Sequence, residues 1–284
     1  MISILEQLDK PEFRPSKSDR ALMEYIRKNA HSVPHTAIAR LAVAAGVSES
    51  TITRFAKKMG YDSLQAFKVA LAEELTEGTN RYIINRNIQA AESAQATGRK
   101  LLDANIGTLE KSLQLLPDGL IERCADWIRE APRLRFIGLG NSGFVARDAA
   151  YKFYRIGMDS MGLDNSHEMI IMASLVRSDD VILAVSHSGN SNEVRQTLGL
   201  AKKNGAKVIL LTANREASMK EYADECVIYE AKESLLETGS ITVKIAQFFL
   251  LDLIYTQVVK VMSDRAIENK QKTAQALSLL DDKD

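Results

Sequence analysis

Two unbroken apolar runs, Val181-Ile-Leu-Ala-Val185 and Val208-Ile-Leu-Leu211, most limit what this chain can fold into. A strand with one face in water alternates apolar and polar residues, whereas a run apolar at every position is buried on both faces, as in a parallel sheet. Three more strand-like segments, Leu134–Ile137, Ser160–Leu163 and Cys226–Tyr229, accompany them, with stretches of helical length in between. This alternation predicts an α/β doubly wound domain with a five-stranded parallel sheet. Ligands of such sheets sit at the carboxyl ends of the strands, so chemistry is expected there.

The chain has 284 residues, which at roughly 150 residues per domain favours two domains. The part before about Glu77 is all-α in pattern. Ser16-Lys-Ser-Asp19 fits a capping box ahead of Leu22, Tyr25 and Ile26. Ile38, Leu41, Ala42 and Ala45 form one apolar stripe, Gly46 stops it, and Ser48 caps a second helix striped by Ile52, Phe55, Ala56 and Met59. Two short helices joined by Gly46-Val47-Ser48 make a helix-turn-helix pattern.

The outer face of the second helix carries Ser50, Thr51, Thr53, Arg54, Lys57 and Lys58. Recognition helices contact base edges with their N-terminal residues, and Arg and Lys serve phosphates and guanines. Between Arg40 and Lys68 stand five cations (Arg40, Arg54, Lys57, Lys58, Lys68) and two anions (Glu49, Asp62), a local charge of +3. The whole chain has 37 basic and 37 acidic residues. A neutral total argues against a chain coated throughout in nucleic acid or anionic lipid and leaves room for one basic face. The expected DNA contacts are Thr36, Ser48, Ser50, Thr51, Thr53, Arg54, Lys57 and Lys58, on a double-stranded operator.

Two loops stand at the expected strand ends. The first, Gly138-Leu-Gly140-Asn-Ser142-Gly143, satisfies G-x-G-x-x-G between a strand and a helix, and Asp164 follows 21 residues after Gly143. Taken alone, this also fits a dinucleotide fold with a ribose-binding acid. The second, Ser186-His-Ser188-Gly-Asn-Ser191, sets three serines and a glycine at a helix N-terminus, an anion cradle without a cation that suits a phosphate monoester. A dinucleotide fold has no use for this second loop.

Gly140-Asn-Ser142-Gly143 and Ser186-His-Ser188-Gly-Asn-Ser191 resemble the two sugar-phosphate loops of SIS (sugar isomerase) domains, and residues 38–60 resemble the helix-turn-helix of the RpiR/MurR family. The resemblance covers about residues 1–75 and 115–260 in the family's order. Tyr61-Asp-Ser-Leu-Gln-Ala-Phe-Lys68 is similar to the family's continuation but lacks its glycine after Tyr61. The resemblance implies a phosphosugar-responsive bacterial transcription regulator. Its domains would be a helix-turn-helix domain (1–78), connecting helices (79–114) and an SIS domain with a C-terminal helix (115–284) that binds the effector and forms a homodimer or higher homo-oligomer.

The implied effector contacts are Gly140, Asn141, Ser142, Ser186, Ser188, Gly189 and Ser191. Asp164 then becomes a plain cap for the helix at Ser166–Ser174. His167 either caps that helix or meets a sugar hydroxyl. Glu237 and Lys244 flank the start of the last long helix, and Lys244 would be the loops' nearby cation. Alternation turns His187 away from the serines. The spacing of His167, the serine loops and Lys244 looks most like regulators of sialic-acid and amino-sugar catabolism, with N-acetylmannosamine 6-phosphate as the effector and repression as the mode.

Two other functions fit parts of the chain. An aldose–ketose phosphosugar isomerase would need a base, for which Glu237, Glu193 and His167 stand in reach, but it has no need of a helix-turn-helix. A redox sensor reading a nicotinamide dinucleotide would use Gly138–Gly143 and Asp164, and the serine loop argues against it. No enzyme activity, cofactor, metal or membrane partner is expected, and His31 and His35 are no metal pair because Pro34 separates them. Cys124 and Cys226 read as reduced core thiols of a cytoplasmic protein. The apolar run Ile245–Tyr255 is short, carries Gln247 and Asp252, and reads as a buried helix.

Overall fold

The computed structural model describes residues 4–9, 11–30, 32–75, 87–89, 91–231 and 240–280. They divide into two compact units, the first within Met1–Glu92 and the second from Ser93 onward.

The first unit consists of α1 (Ile4–Asp9), α2 (Lys17–Lys28), a 3-10 turn at Val33–His35, α3 (Ile38–Ala45), α4 (Glu49–Lys58) and α5 (Leu64–Leu75). The capping box at α2 forms in full: the Asp19 amide donates to the Ser16 hydroxyl at 3.2 Å and the Ser16 amide to the Asp19 carboxylate at 2.9 Å. Gly46 ends α3 in the left-handed region at φ 65°, and the Val47 amide reaches back to the Ala42 carbonyl at 2.9 Å. Both stripes pack inward, where Leu22, Ile26, Leu41, Ile52, Phe55, Phe67 and Leu71 form a core. Phe55 lies at its centre, edge-on to Phe13 and to Phe67 with ring centroids 6.1 Å apart in each pair. This core fixes α3 against α4 and leaves the polar face of α4 outside.

The second unit opens with α6 (Ala94–Gln114) and α7 (Leu120–Glu130). It continues as β1 (Leu134–Ile137), α8 (Asn141–Tyr154), β2 (Ser160–Leu163), α9 (Ser166–Leu175), β3 (Val181–Val185), α10 (Asn192–Lys203), β4 (Lys207–Thr212), a 3-10 turn at Ser218–Tyr222, and β5 (Glu225–Ile228). It ends in α11 (Ile241–Met262) and α12 (Asp264–Ser278). All five strands are parallel, in the order β2-β1-β3-β4-β5. Leu134, Phe136, Val181, Leu183 and Val185 face α7, α8 and α11, while Ile137, Ile182, Ala184, Val208 and Leu210 face α9 and α10. The apolar runs are thus apolar throughout because helices cover both faces. Arg133 and the buried Asp180 tie the starts of β1 and β3 together, with Nε to Oδ1 at 2.9 Å.

α11 spans 22 residues, longer than its apolar run suggests, and by length and composition it meets the requirement for crossing a membrane. Its Val243, Ala246, Leu250, Ile254 and Val258 are buried within the α/β unit, so it serves as a core helix.

Candidate functional site

The strand order locates the crevice. The chain leaves β1 for β2 on one side and reaches β3 on the other, so the loops after β1 and β3 diverge at a switch point. Gly138–Gly143 follows β1 and Ser186–Ser191 follows β3, and each feeds a helix whose first amides have no partner within the helix. Two helix N-termini therefore frame one crevice and favour an anion there.

In the first loop, Gly140 precedes α8 and Ser142 is buried in its first turn. Gly143 packs so close to β2 that a Cβ there would lie 2.6 Å from the Cβ of Asp164. The Asp164 carboxylate pairs with Arg147 at 3.3 Å. Asp164 does not cap α9, contrary to the sequence expectation. The cap is its neighbour Asn165, whose side-chain oxygen accepts from the amides of His167 (2.9 Å) and Glu168 (3.3 Å). Asn165 holds the extended conformation that an N-cap requires and points its oxygen into the turn. With the cap supplied there, the exposed His167 ring has no capping role and stands on the first turn of α9, beyond the end of β2.

The second loop is held by its neighbours. The Ser186 hydroxyl accepts from the Gly189 amide at 3.2 Å, and the Ser188 hydroxyl accepts from the Asn190 amide at 3.4 Å. Gly189 sits at φ 62°, and a Cβ there would lie 2.3 Å from the Cβ of Ala217, so only glycine fits. Thr212 donates to the His187 carbonyl at 3.1 Å, Asn214 donates to the Ser188 carbonyl at 2.9 Å, and the Ser218 amide donates to Asn190 at 3.0 Å. Ser191 precedes α10, but its hydroxyl makes no capping bond among the described residues.

His187 continues the alternation of Val181, Leu183 and Val185 and so turns to the α11 face. Its Nδ1 lies 3.0 Å from the hydroxyl of Tyr229, which also accepts from the Gln247 amide at 2.8 Å. Tyr229 and Gln247 are each 1% exposed, and the Gln247 Oε1 is buried with no partner among the described residues. One turn before Gln247, Lys244 Nζ reaches the Asn141 side chain at 3.5 Å. α11 thereby touches the first loop directly, reaches the second through Tyr229, and brings a positive charge to a crevice whose serine loop has none. Glu237 lies outside the described residues, as does His31.

Thr212, Asn214, Tyr229 and Gln247 escaped the sequence reading. Gln247 left a signal, a polar residue inside an apolar run, and Thr212 stands at the end of a buried strand. Among the described residues no group of three or more His, Cys, Asp or Glu is placed to hold a metal. Burial pushes the Cys124 thiol up to about 12 and the Cys226 thiol upward too, so neither is a thiolate at neutral pH.

In the helical unit Ser50, Thr53, Arg54 and Lys57 are exposed on one face of α4, and Thr51 is half-buried beside them. Ser48 works as the cap, accepting from the Thr51 amide at 3.2 Å. Thr36 donates to the Ser32 carbonyl at 2.7 Å and its own carbonyl receives Lys68. Lys68 is buried, which pulls its ammonium below the usual lysine range, so it adds nothing to the exposed positive face counted from sequence. Lys58 pairs with Asp19 at 2.7 Å.

A family model for the helix-turn-helix domain of the rpiR family matches residues 2–78, and one for the SIS domain matches residues 127–257. An uncharacterized HTH-type transcriptional regulator of Clostridium perfringens is 42% identical over 97% of this chain and 99% of its own. The chain belongs to the RpiR family of HTH-type transcriptional regulators. Another such regulator, of Haemophilus influenzae, is 33% identical to this RpiR-family chain over 91% of it and 90% of the relative. A solved structure of the Vibrio vulnificus NanR protein complexed with ManNAc-6P matches at a TM-score of 0.72 with 25% identity, covering 97% of this chain and 98% of that one.

Proposed function

We propose that this RpiR-family regulator is a repressor of an amino-sugar catabolic operon, acts as a dimer in the cytoplasm, and is released from its operator by N-acetylmannosamine 6-phosphate. The observation that carries the effector class is the pair of loops at the β1/β3 switch point, with Ser142, Ser186, Ser188 and Ser191 beside two helix N-termini. The likeness to the NanR complex supports the choice among phosphosugars. In this reading the four serines take the phosphate, Gly140, Asn141 and Gly189 shape its cradle, and Lys244, His167 and Glu237 meet the sugar and its substituents. The exposed face of α4 enters the major groove, with Ser50, Thr51, Thr53, Arg54 and Lys57 toward the DNA. The connecting segment of the domain plan includes α6, and α8 offers the second copy a face with exposed Phe144, Tyr151 and Tyr154.

The isomerase reading finds Glu193 exposed on the first turn of α10. The regulator reading expects no interconversion when the purified protein is given a panel of aldose and ketose phosphates. The dinucleotide reading would need Asp164 to leave its surface ion pair with Arg147 at 3.3 Å. Thermal-shift titration against a phosphosugar panel tests the effector. N-acetylmannosamine 6-phosphate should raise the melting temperature most, and a nicotinamide dinucleotide outbinding every phosphosugar would overturn the assignment.

A further inference from the structure

Asp19 was singled out in the sequence only as a member of a capping box, yet it does more than cap α2. Its carboxylate is 1% exposed and takes bonds from two sides. The Ser16 amide and hydroxyl donate to Oδ2 at 2.9 and 2.8 Å, and Lys58 Nζ donates to the same oxygen at 2.7 Å from the last turn of α4. Lys58 also lies over the ring of Phe13, 5.6 Å from its centroid, and Phe13 packs edge-on to Phe55 of α4. Burial pushes the Asp19 carboxyl up, but the bonds from Lys58 and Ser16 outweigh it and hold the group below the usual carboxylate range. The Lys58 side chain is 42% exposed, yet a lysine that ends on a buried carboxylate and spans an aromatic ring is fixed in direction, whereas the exposed Lys57 next to it makes no such bond among the described residues.

We propose that Asp19 and Lys58 form a strut that sets the angle of α4 against α2, so that Lys58 acts on operator choice through Asp19 and makes no phosphate contact. The inference rests on the reading of α4 as the recognition helix. It separates the two adjacent lysines: Lys57 belongs to the DNA, and Lys58 positions the helix that reads it. A helix free to tilt would still meet phosphates, since a charged face adapts to any duplex. It would misplace Ser50 and Arg54 relative to base edges, where the geometry is exacting.

The test uses the full-length protein, a duplex selected by it from a random pool, and a scrambled duplex of the same length and composition. Affinity for both is measured against salt concentration. Lys57→Met should lower the salt slope on the scrambled duplex by about 0.9 per protomer, the value of one lost phosphate contact. Lys58→Met should leave that slope unchanged and reduce the ratio of selected to scrambled affinity about tenfold or more. Asp19→Asn keeps an acceptor for Ser16 and should reproduce the lost ratio. The double variant should lose no more than either single, as expected of one shared interaction. Lys58→Arg, able to pair with the same carboxylate, should restore the ratio. If Asp19→Asn does not fold, the Met and Arg variants at position 58 decide alone. A drop in slope for Lys58→Met equal to that of Lys57→Met, with an unchanged ratio, overturns the strut. Failure of the wild-type protein to select any duplex overturns the recognition-helix reading itself.

Discussion

Ser188 is exposed at the crevice, and its hydroxyl accepts only a long bond of 3.4 Å from its own loop among the described residues. A hydrogen bond to a charged phosphate contributes about 1.5–3 kcal/mol. Ser188→Ala should therefore weaken binding of N-acetylmannosamine 6-phosphate about tenfold or more, read by calorimetric titration, and leave the DNA affinity of the free protein unchanged. Were the serine only a turn former, the variant would lose stability and keep its affinity. Tyr229 gives a second residue-scale expectation. Tyr229→Phe leaves the buried Gln247 amide without the hydroxyl it donates to, which costs about 1–3 kcal/mol. Urea denaturation should show that loss, and Tyr229→Phe with Gln247→Leu should recover part of it, because removing both partners leaves less unsatisfied. The positions of the two serine- and glycine-bearing loops after β1 and β3 were legible because their spacing is local. Tyr229 and Gln247 were not, because a hydrogen bond between a strand end and a helix 18 residues later leaves no periodic trace. The Asn165 cap was missed by one position: two adjacent side chains of the same capping type cannot be ranked until the backbone shows which faces the turn.

Elements were more legible than residues. Every strand was placed within a residue or so of its observed ends, since continuous apolar runs bounded by turns have few other uses. β5 shows the residual error, running Glu225–Ile228 where Cys226–Tyr229 was expected. Helix α4 was legible through its stripe and its caps, whereas the destinations of Lys58, on the Asp19 carboxylate, and of Lys68, buried on the Thr36 carbonyl, were not, because a sequence counts charges without saying which are already paired. Arg54 remains exposed on α4. Arg54→Ala should weaken operator binding by about 1–3 kcal/mol if it reads a guanine, and operator titration with the purified variant measures it. The pairing of β1 with β3 adds a pH dependence. Burial pushes the Asp180 carboxyl up, but Arg133 and the Arg177 amide outweigh that and hold it below the usual range. A carboxyl depressed on folding stabilises above its unfolded value of about 3.9 and loses that contribution as pH falls through the folded value. Stability of the α/β unit should thus be flat in this respect near neutral pH and decline below about pH 4. Asp180→Asn should remove that portion of the decline while lowering stability at pH 7 by about 1.5–3 kcal/mol, since it weakens the charge-assisted bonds to a partly exposed Arg133 that keeps the Leu175 carbonyl.

At the scale of the whole molecule, the chain joins a helical unit whose exposed face suits a major groove to an α/β unit whose crevice suits a phosphosugar. Binding at the crevice alters DNA affinity only to the extent that the effector binds the DNA-competent and other arrangements unequally. The measurement that bears most directly on this is operator affinity of the full-length protein with and without N-acetylmannosamine 6-phosphate, for the wild type and Ser188→Ala. The account predicts that the phosphosugar weakens operator binding by the wild type, by roughly 5–150-fold as is usual for coupled sites, and that the same concentration leaves Ser188→Ala bound. Operator affinity unmoved by the phosphosugar in the wild type, or moved equally in both proteins, would contradict it.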